Sequence, residues 1–481
     1  MRCLYITQEY APLFAEGGLG LTSGSLPATL KRRHGWDHDI VLPYYPWLVE
    51  RHGLKTEVVA LIEPRKIGGT DCGASIHRLL ECPDPCEIFL VRADTWYDRS
   101  GIYRDERYVP FPDEVERAAF FGSCVADWVA LGDRPYDLIH GNDWQSGAAM
   151  MHLRERFPAT PIVYSILSAV YQGSFSQDRL ADLGLPQAYA ASLGKNSGDQ
   201  LSLFLTALFV SDATVTCSPT YAQELLGEFQ GTPLGNALKD SELAGIVLGV
   251  DYSLWDPEAH GRPTTPFDIG AIAAGKKRNK SALQKRMGLA EKDLPMIGVC
   301  SRLVPEKGTD LLVEALADLL AQGRLQTVMI GPATDILRSD IKALKAMHPR
   351  DLAYVDRFDQ EAAWLAYAGS DFTVMPSQVE PCGLNQLIAY RYGTIPIVSD
   401  VGGLRDTVTD VRRHPETGSG FIIPYLSAES VADTINVALA WMESAPYEVA
   451  AVRRRVISQD WSWVKTADEY ANLFSRFCGH P

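Results

Sequence analysis

The sequence predicts an α/β protein with two domains, each built on a parallel sheet with helices on both faces. Short apolar runs alternate with segments of helical periodicity, which is the pattern of doubly wound sheets. The alternation restarts after a polar stretch that begins near residue 250. The length of 481 residues also favours two or three domains at about 150 residues each.

The elements of the first block follow from its apolar runs. Buried strands are predicted at residues 4–7, 40–42, 138–140, 162–165 and 213–217. A helix is predicted over residues 115–130, where apolar side chains recur at helical spacing. This block forms the predicted N-terminal domain, residues 1–250.

The second block repeats the pattern after a predicted join at about residues 250–283. That join includes a Gly- and Pro-containing stretch at residues 260–266 and a basic run at residues 275–280. Strands are predicted at residues 296–300, 327–330, 372–375 and 395–398, with helices at 311–320, 341–347 and 361–368. Residues 251–455 form the predicted C-terminal domain.

The C-terminal residues 441–477 are predicted to be helical, with a heavy aromatic face. Trp461, Trp463, Tyr470, Phe474 and Phe477 supply that face. Such a face favours packing against another part of the protein. We therefore expect the segment 456–481 to return to the N-terminal domain.

Composition and charge narrow the class of protein. Hydrophobic residues make up 46% and charged residues 22%, as in ordinary globular chains. A net charge of -15 disfavours nucleic-acid binding as the main function, because phosphate backbones need a basic surface. Nine cysteines without a CxxC pair indicate reduced thiols and no metal site. The chain shows no signal peptide and no membrane span, so a cytoplasmic location is predicted.

One motif follows the first strand of each of the two blocks. Gly17-Gly18-Leu19-Gly20 allows close approach of the backbone to a ligand, although an ordinary turn explains it equally well. Arg302 and Lys307 follow the strand 296–300, where two cations suit a diphosphate leaving group that gains charge. A solvated charged loop is the alternative interpretation.

Two further motifs follow later strands of the second block. In Glu380-Pro381-Cys382-Gly383-Leu384, the carboxylate suits sugar hydroxyls or a positive anomeric carbon, and the glycine turn can aim amides at a ligand. Gly402-Gly403-Leu404 is a second candidate diphosphate loop. Ordinary strand-to-helix turns are the alternative for both.

Together these motifs resemble the glycogen and starch synthase family of glycosyltransferases, nearly end to end. Further matches are the segments 97–99, 116–121, 140–145, 171–173, 218–222 and 249–255. The resemblance implies the GT-B fold, with two Rossmann-like domains facing a central cleft. It also implies retaining, metal-independent transfer of a sugar from a nucleotide-activated donor to a saccharide acceptor. The nucleotide sugar is a substrate, so no cofactor is expected.

The resemblance also implies a role for each candidate residue. Arg302 and Lys307 would contact the donor phosphates, and Glu380 would lie at the donor sugar. Backbone amides would come from Gly383, Leu384, Gly402, Gly403 and Leu404, with Cys382 in the same motif. Asp143 would line the N-terminal side of the cleft together with the Gly17–Gly20 loop.

Several family positions differ on the sugar side. Ala15-Glu16 replaces a lysine-threonine pair, Leu21 an aspartate, Leu167-Ser168 a histidine-asparagine pair, and Leu248 an asparagine. An apolar wall disfavours a sugar hydroxyl, because an unpaired buried polar group costs roughly 1–3 kcal/mol. Leu167 and Leu248 therefore indicate an altered donor ring, whereas the phosphate side is unchanged.

Three hypotheses follow. The preferred one is a pseudoglycosyltransferase of the acarbose type, which joins a nucleotide-activated unsaturated cyclitol to an amino sugar. The second is a divergent α-1,4-glucan synthase that uses ADP- or UDP-glucose. The third is a non-catalytic glucan-binding paralogue. The pattern is compatible with ADP, UDP, GDP or dTDP in the donor, with O- or N-linkage, and with any oligomeric state.

Overall fold

The chain divides into two compact units. The computed structural model describes residues 1–82, 85–106, 109–187 and 200–478. Unit 1 comprises Met1–Leu248 and Trp463–Pro481, and unit 2 comprises Gly249–Ser462. The domain limits predicted from the sequence are residues 250 and 455. In the structure the second limit lies seven residues further along the chain, at Ser462.

Unit 1 is a nine-stranded sheet with helices on it. Its strands are β1 (Arg2–Ile6), β2 (Asp37–Pro43), β3 (Thr56–Ile67), β4 (Thr70–Leu79), β5 (Glu87–Arg92), β6 (Leu138–Asn142), β7 (Ile162–Ile166), β10 (Ala213–Thr216) and β11 (Ala244–Gly245), while β8 (Ser174–Ser176) and β9 (Gln200–Ser202) form a separate pair. Its helices are α1 (Gly18–His34), α2 (Pro46–Arg51), α3 (Asp94–Tyr97), α4 (Glu114–Leu131), α5 (Gly147–Arg156), α6 (Leu203–Val210), α7 (Pro219–Glu228), α8 (Pro233–Asp240) and α17 (Trp463–Cys478).

The sheet order of unit 1 is β11-β10-β7-β6-β1-β2-β5-β4-β3. Strands β11 to β5 pair in parallel, and β1 lies in the middle with Leu4 and Ile6 fully buried. Strands β3 and β4 form an antiparallel hairpin that the sequence analysis missed. The hairpin is mostly solvent-exposed along β3, so it lacks the continuous apolar run that marks a buried strand.

Unit 2 is a six-stranded parallel sheet. Its strands are β12 (Met296–Cys300), β13 (Gln326–Ile330), β14 (Leu352–Val355), β15 (Phe372–Met375), β16 (Ile395–Ser399) and β17 (Phe421–Ile423), in the order β14-β13-β12-β15-β16-β17. Its helices are α9 (Ile272–Met287), α10 (Thr309–Ala321), α11 (Asp335–Met347), α12 (Gln360–Gly369), α13 (Asn385–Arg391), α14 (Gly402–Thr407), α15 (Ala428–Ser444) and α16 (Pro446–Ser458). The predicted strands and helices of this block are all present.

The predicted join is only partly a linker. The basic run 275–280 lies within helix α9, and Lys276 is 2% exposed. Its ammonium donates to the Tyr392 carbonyl at 3.2 Å and to Thr394 Oγ1 at 2.7 Å. A run of charges is typical of a solvated segment, so only the tertiary fold reveals that backbone oxygens solvate this lysine inside the protein.

The C-terminal segment is not one helix. Helix α15 ends at Ser444, α16 begins at Pro446, and α17 begins at Trp463. Pro446 starts a helix because its missing N–H would be unpaired there in any case. Trp461 lies in the break between α16 and α17 and stacks on Tyr390 at 6.4 Å in unit 2, not on the aromatic face predicted for it.

Helix α17 packs on unit 1, as the sequence predicted for the end of the chain. The Phe474 ring lies 6.1 Å from Trp36 and 5.2 Å from His140. Arg33 Nη2 donates to Asp468 at 2.7 Å. Within the described residues, none of the helices combines the length and apolar character that crossing a bilayer requires.

Candidate active site

In unit 2, two adjacent strands carry the predicted catalytic residues to one edge of the sheet. Strand β12 pairs in parallel with β15, with Ile297 opposite Phe372. Arg302 and Lys307 follow β12, and Glu380 follows β15. Open parallel sheets bind ligands at the carboxyl ends of their strands, so the fold places these three residues where a site is expected.

Lys307 and Glu380 form a close ion pair. The Lys307 Nζ atom lies 2.8 Å from both carboxylate oxygens of Glu380. Ser377 Oγ donates a further hydrogen bond to Glu380 Oε2 at 2.9 Å. Glu380 is 7% exposed, so three hydrogen bonds hold a nearly buried carboxylate in one position.

The turn after Lys307 needs a glycine. Gly308 has φ of 64°, and a Cβ atom there would lie 2.0 Å from the Pro376 carbonyl oxygen. The Gln378 amide also donates to the Glu306 carbonyl at 3.0 Å. The two loops after β12 and β15 therefore touch, and that contact is what aligns Lys307 with Glu380.

Arg302 is held differently from Lys307. Its Nη2 atom lies 3.2 Å from Glu306 Oε1, and the two side chains are 46% and 50% exposed. An exposed pair of this kind contributes about 0–1 kcal/mol, so an anionic ligand can readily replace Glu306 as the partner. Of the three predicted catalytic residues, the structure brings Lys307 and Glu380 together. Arg302 is exposed and pairs with Glu306 instead.

A small cavity lies beside the ion pair. Cys300, Lys307, Ser377, Glu380 and Asn385 are among the residues that line it. Asn385 Nδ2 donates to the Cys300 carbonyl at 2.7 Å and so ties the start of α13 to the end of β12. Ser377 and Asn385 were not among the predicted site residues, although they flank the motif Glu380–Leu384 in the sequence.

The two glycine turns of unit 2 lie against each other. The Gly403 amide donates to the Glu380 carbonyl at 3.0 Å, and the Leu404 amide donates to the Val401 carbonyl at 3.1 Å. The turns therefore use these two amides internally, and the contact of Gly403 and Leu404 with a donor stays a prediction. Only a glycine at position 403 lets the two turns lie this close, because a Cβ atom there would lie 2.0 Å from the Cys382 carbonyl oxygen.

The other members of these turns are described by their backbone conformation and burial. Gly383 and Gly402 have φ of 70° and 42°, a conformation that favours glycine. Cys382 and Leu404 are 5% and 0% exposed, so their side chains belong to the packing of the turns. Leu384 immediately precedes α13.

In unit 1, the glycine loop opens helix α1 and rests on a buried glutamate. Gly17 and Gly18 are exposed, while Leu19 and Gly20 are buried. Glu9 Oε2 accepts hydrogen bonds from the amides of Glu16 at 2.7 Å and Gly17 at 2.9 Å. The Gly17 amide is thus already paired with Glu9, and contact of this loop with a ligand stays a prediction.

Glu9 itself was not among the predicted site residues. Its Oε1 atom accepts a hydrogen bond from the Tyr103 hydroxyl at 2.8 Å. Burial raises the pKa of Glu9 above its ordinary value, although these three donors act in the opposite direction. A single glutamate six residues before Ala15 carries no sequence signal that separates it from a surface carboxylate.

Asp143 and Leu167 meet in unit 1. Asp143 Oδ1 accepts hydrogen bonds from the amides of Leu167 at 2.8 Å and Ser168 at 3.3 Å. Asp143 has φ of 52°, an uncommon value for a non-glycine residue that costs of order 1–3 kcal/mol. Burial raises the pKa of Asp143 to about 7. Leu248 lies after β11 and is 4% exposed.

Among the residues that the structure describes, no group of three or more histidine, cysteine, aspartate or glutamate side chains is arranged to hold a metal ion.

Similarity to known proteins covers the whole chain. The starch synthase catalytic domain matches residues 2–240, and the glycosyl transferases group 1 family matches residues 281–445. A glycogen synthase of Rhodospirillum rubrum is 34% identical over 100% of this chain and 99% of its own length. The chain belongs to the glycogen and starch synthase family of glycosyltransferases.

Other members of the glycogen and starch synthase family are similar to this chain over nearly its whole length. Glycogen synthase 2 of Geobacter sulfurreducens is 33% identical over 98% of both chains. The catalytic domain of starch synthase IV from Arabidopsis thaliana, solved bound to ADP and acarbose, has a TM-score of 0.89 and 25% identity, over 100% of this chain and 99% of that one. A sucrose-phosphate synthase of Thermosynechococcus elongatus, at a TM-score of 0.63 and 19% identity over 99% of both chains, shares the fold alone. The fold is GT-B.

Proposed function

We propose that this glycosyltransferase is a divergent α-glucan synthase that moves a glucosyl group from a nucleoside diphosphate glucose to the end of a saccharide acceptor. The observation that carries the proposal is the Lys307–Glu380 pair, which joins the loops after two adjacent strands of unit 2. Arg302 follows the same strand as Lys307. The end-to-end similarity to glycogen synthases supports the same assignment.

The charges of this constellation suit diphosphate departure. Glu380 neutralises Lys307 in the resting protein, whereas Arg302 has only an exposed partner. In the proposed reaction the bond between the sugar and the diphosphate breaks, and both cations stabilise the charge that develops on the phosphate oxygen. Glu380 would then face the sugar carbon, which becomes electron-poor. The acceptor hydroxyl oxygen would bond to that carbon on the face that the diphosphate leaves, which retains the configuration, and the hydroxyl proton would pass to the departing diphosphate.

Donor and acceptor classes follow from the relatives. The starch synthase IV structure contains ADP and acarbose, a nucleoside diphosphate and a saccharide analogue. We therefore propose an adenosine or uridine diphosphate donor and an oligosaccharide or glucan acceptor for this chain. The proposal needs neither a metal ion nor a cofactor, and a cytoplasmic location stays a prediction.

The preferred sequence hypothesis, a cyclitol donor, gains no support from the relatives, which are glycogen and starch synthases. It rested on Leu167 and Leu248 as an apolar wall. Leu248 is buried, and Leu167 is tied to Asp143 through its backbone amide, which is a contact that any side chain permits. Membership of an enzyme family also disfavours the non-catalytic paralogue.

Transfer of radiolabelled glucose from ADP-glucose and UDP-glucose to glycogen and maltose tests the proposal. We expect elongation by the wild type at a rate ordinary for enzymes, roughly 10 s⁻¹. The Lys307→Ala variant is the negative control. A wild type that binds nucleoside diphosphate but transfers no glucose would refute the proposal and restore the altered-donor hypothesis.

The double variant Leu167→His plus Leu248→Asn separates these two hypotheses further. If the wild type is a glucan synthase, the double variant should gain nothing on nucleotide glucose. A large gain in glucosyl transfer from a weak wild type would instead indicate that the leucines exclude glucose.

A further inference from the structure

The two glycine turns of unit 2 are joined by one buried side chain, Gln386. This residue lies in α13 and is 0% exposed. Its Nε2 atom donates to the Gly383 carbonyl at 2.6 Å and to the Cys382 carbonyl at 3.2 Å, both in the turn that follows Glu380. The same Nε2 atom donates to Thr407 Oγ1 at 3.0 Å.

Thr407 completes the link to the second turn. Its hydroxyl donates to the Gly403 carbonyl at 2.6 Å, and the Gly403 amide donates to the Glu380 carbonyl at 3.0 Å. The hydrogen bonds therefore form a closed circuit from Glu380 through Gly403, Thr407 and Gln386 back to the turn after Glu380. Each turn is held by the other, and neither can shift without breaking a buried hydrogen bond.

The orientation of the Gln386 amide is determined by its surroundings. Three oxygen atoms surround Nε2, so the NH₂ group belongs on that side. Gln386 Oε1 is buried and has no hydrogen-bond partner among the described residues. A Cβ atom on Gly383 would lie 2.5 Å from this oxygen, so the glutamine side chain packs closely against the glycine turn.

We propose that Gln386 is a positioning residue that, through Thr407, sets the relative placement of the two turns and thereby the affinity for the diphosphate of the donor. The proposal rests on the proposed function in one respect, namely that these turns border the donor diphosphate. Gln386 acts through the turns and is not itself required to touch the substrate.

Binding of ADP, UDP and GDP by titration calorimetry tests the proposal without any acceptor. Gln386→Leu and Thr407→Val should each lower the affinity for the nucleotide that the wild type binds most tightly, by roughly 10- to 100-fold. Small displacements of binding groups have effects of that size. Thr407→Ser keeps the hydroxyl and should bind as the wild type does. The double variant Gln386→Leu plus Thr407→Val should be no weaker than the worse single variant, because both break the same circuit.

A second buried glutamine provides the matched control. Gln326 is 0% exposed and donates to the carbonyls of Ala290 and Arg350, at 2.9 and 3.1 Å, in the same unit. Gln326→Leu should lower the melting temperature while leaving nucleotide affinity unchanged. Gln386→Glu, which keeps the size but sets a carboxylate against carbonyl oxygens, should weaken binding like Gln386→Leu.

Each outcome decides the proposal. Unchanged affinity in folded Gln386→Leu and Thr407→Val would overturn it, as would equal loss in Gln326→Leu or a wild type that binds none of the three nucleotides. If the wild type binds nucleotide but transfers no glucose, the proposed function fails while the Gln386 effect on affinity still stands or falls by itself.

Discussion

At the scale of residues, the candidate site depends on how charge is balanced around Glu380. Lys307 and Ser377 donate three hydrogen bonds to that carboxylate, so its position is fixed before any ligand binds. Among the residues that the structure describes, the side chain of Arg302 pairs only with the exposed Glu306. We therefore expect Arg302 to contribute ligand contact and Lys307 to contribute both contact and the placement of Glu380.

Removing either cation should lower turnover and leave the fold intact. Arg302→Ala and Lys307→Ala should each reduce kcat by about 10²–10³-fold, the usual effect of losing one donor that stabilises developing charge. Steady-state glucosyl transfer and circular dichroism provide the measurement. Lys285→Ala is the matched control, because Lys285 is an exposed lysine of the same unit paired with Glu291 at 3.5 Å.

The pair also allows a check on the role of Lys307. Lys307→Ala leaves the buried Glu380 carboxylate without a cation, which should lower stability. The double variant Lys307→Ala plus Glu380→Gln removes that buried charge and should recover stability. We expect recovered stability without recovered turnover. Turnover at the wild-type level in any folded variant that lacks Lys307 would contradict its assignment.

At the scale of elements, helix α17 completes unit 1 from the far end of the sequence. Phe474 is 0% exposed and contacts the rings of Trp36, His140 and Tyr470. Thr466 Oγ1 donates to the Val247 carbonyl at 2.8 Å, close to the end of the first segment of unit 1. The helix is therefore part of the core of the unit whose other residues end at Leu248.

Phe474→Ala should destabilise unit 1 by about 3–5 kcal/mol, because it removes a fully buried aromatic ring. Urea unfolding monitored by hydrogen exchange of the β1 and β6 amides would measure the loss. Lys465→Ala, on the exposed face of the same helix, should change stability by no more than about 0.5 kcal/mol. A loss below about 1 kcal/mol for Phe474→Ala would show that α17 is only loosely attached.

At the scale of the whole molecule, unit 1 combines buried groups whose pKa values shift in opposite senses. Burial lowers the pKa of His38 and His152 to about 4 and of His140 to about 3. Burial raises the pKa of Asp143 to about 7, and it raises the pKa of Glu9. These five groups are among those that determine how acid affects the fold of unit 1.

The direction of the acid effect follows from proton counting. The unfolded chain protonates the three histidines below about pH 6.5, and the folded unit resists this, so their stabilisation is lost as pH falls from 6.5 towards 4. Asp143 and Glu9 bind protons more readily in the folded unit, so their contribution increases as pH falls from about 7 towards 4. Burial also lowers the pKa of His77 and raises the pKa of Glu114, which adds one group to each side. Four histidines then oppose three carboxyl groups, and unit 1 should be less stable at pH 5 than at pH 7.5.

Hydrogen exchange of the β6 and β7 amides at the two pH values tests this expectation. His140→Phe keeps a ring beside Tyr5 and Phe474 and removes one titrating group, so it should make the pH dependence shallower. Asp143→Asn removes an opposing group and should make it steeper. Equal protection of the wild type at both pH values would contradict the counting.

The sequence by itself determined the fold class and the family. The buried parallel strands were predicted because strands covered on both faces must be apolar throughout, and each was found within three residues of its predicted ends. Arg302, Lys307 and Glu380 were identified because they follow such strands within motifs of fixed spacing. The hairpin of β3 and β4 escaped prediction because exposed strands lack that apolar signal.

Only the tertiary structure decided which groups meet. Glu9 pairs with the Glu16 and Gly17 amides, Gln386 pairs with Thr407, and Lys276 lies among carbonyl oxygens, although each looks like a surface residue in the sequence. It also showed that the Gly403 and Leu404 amides are used within the turns. The physical reason is that a buried polar group finds its hydrogen-bond partners only once the chain has folded, and many of them are far apart in sequence. Local periodicity and spacing do not reveal such pairs.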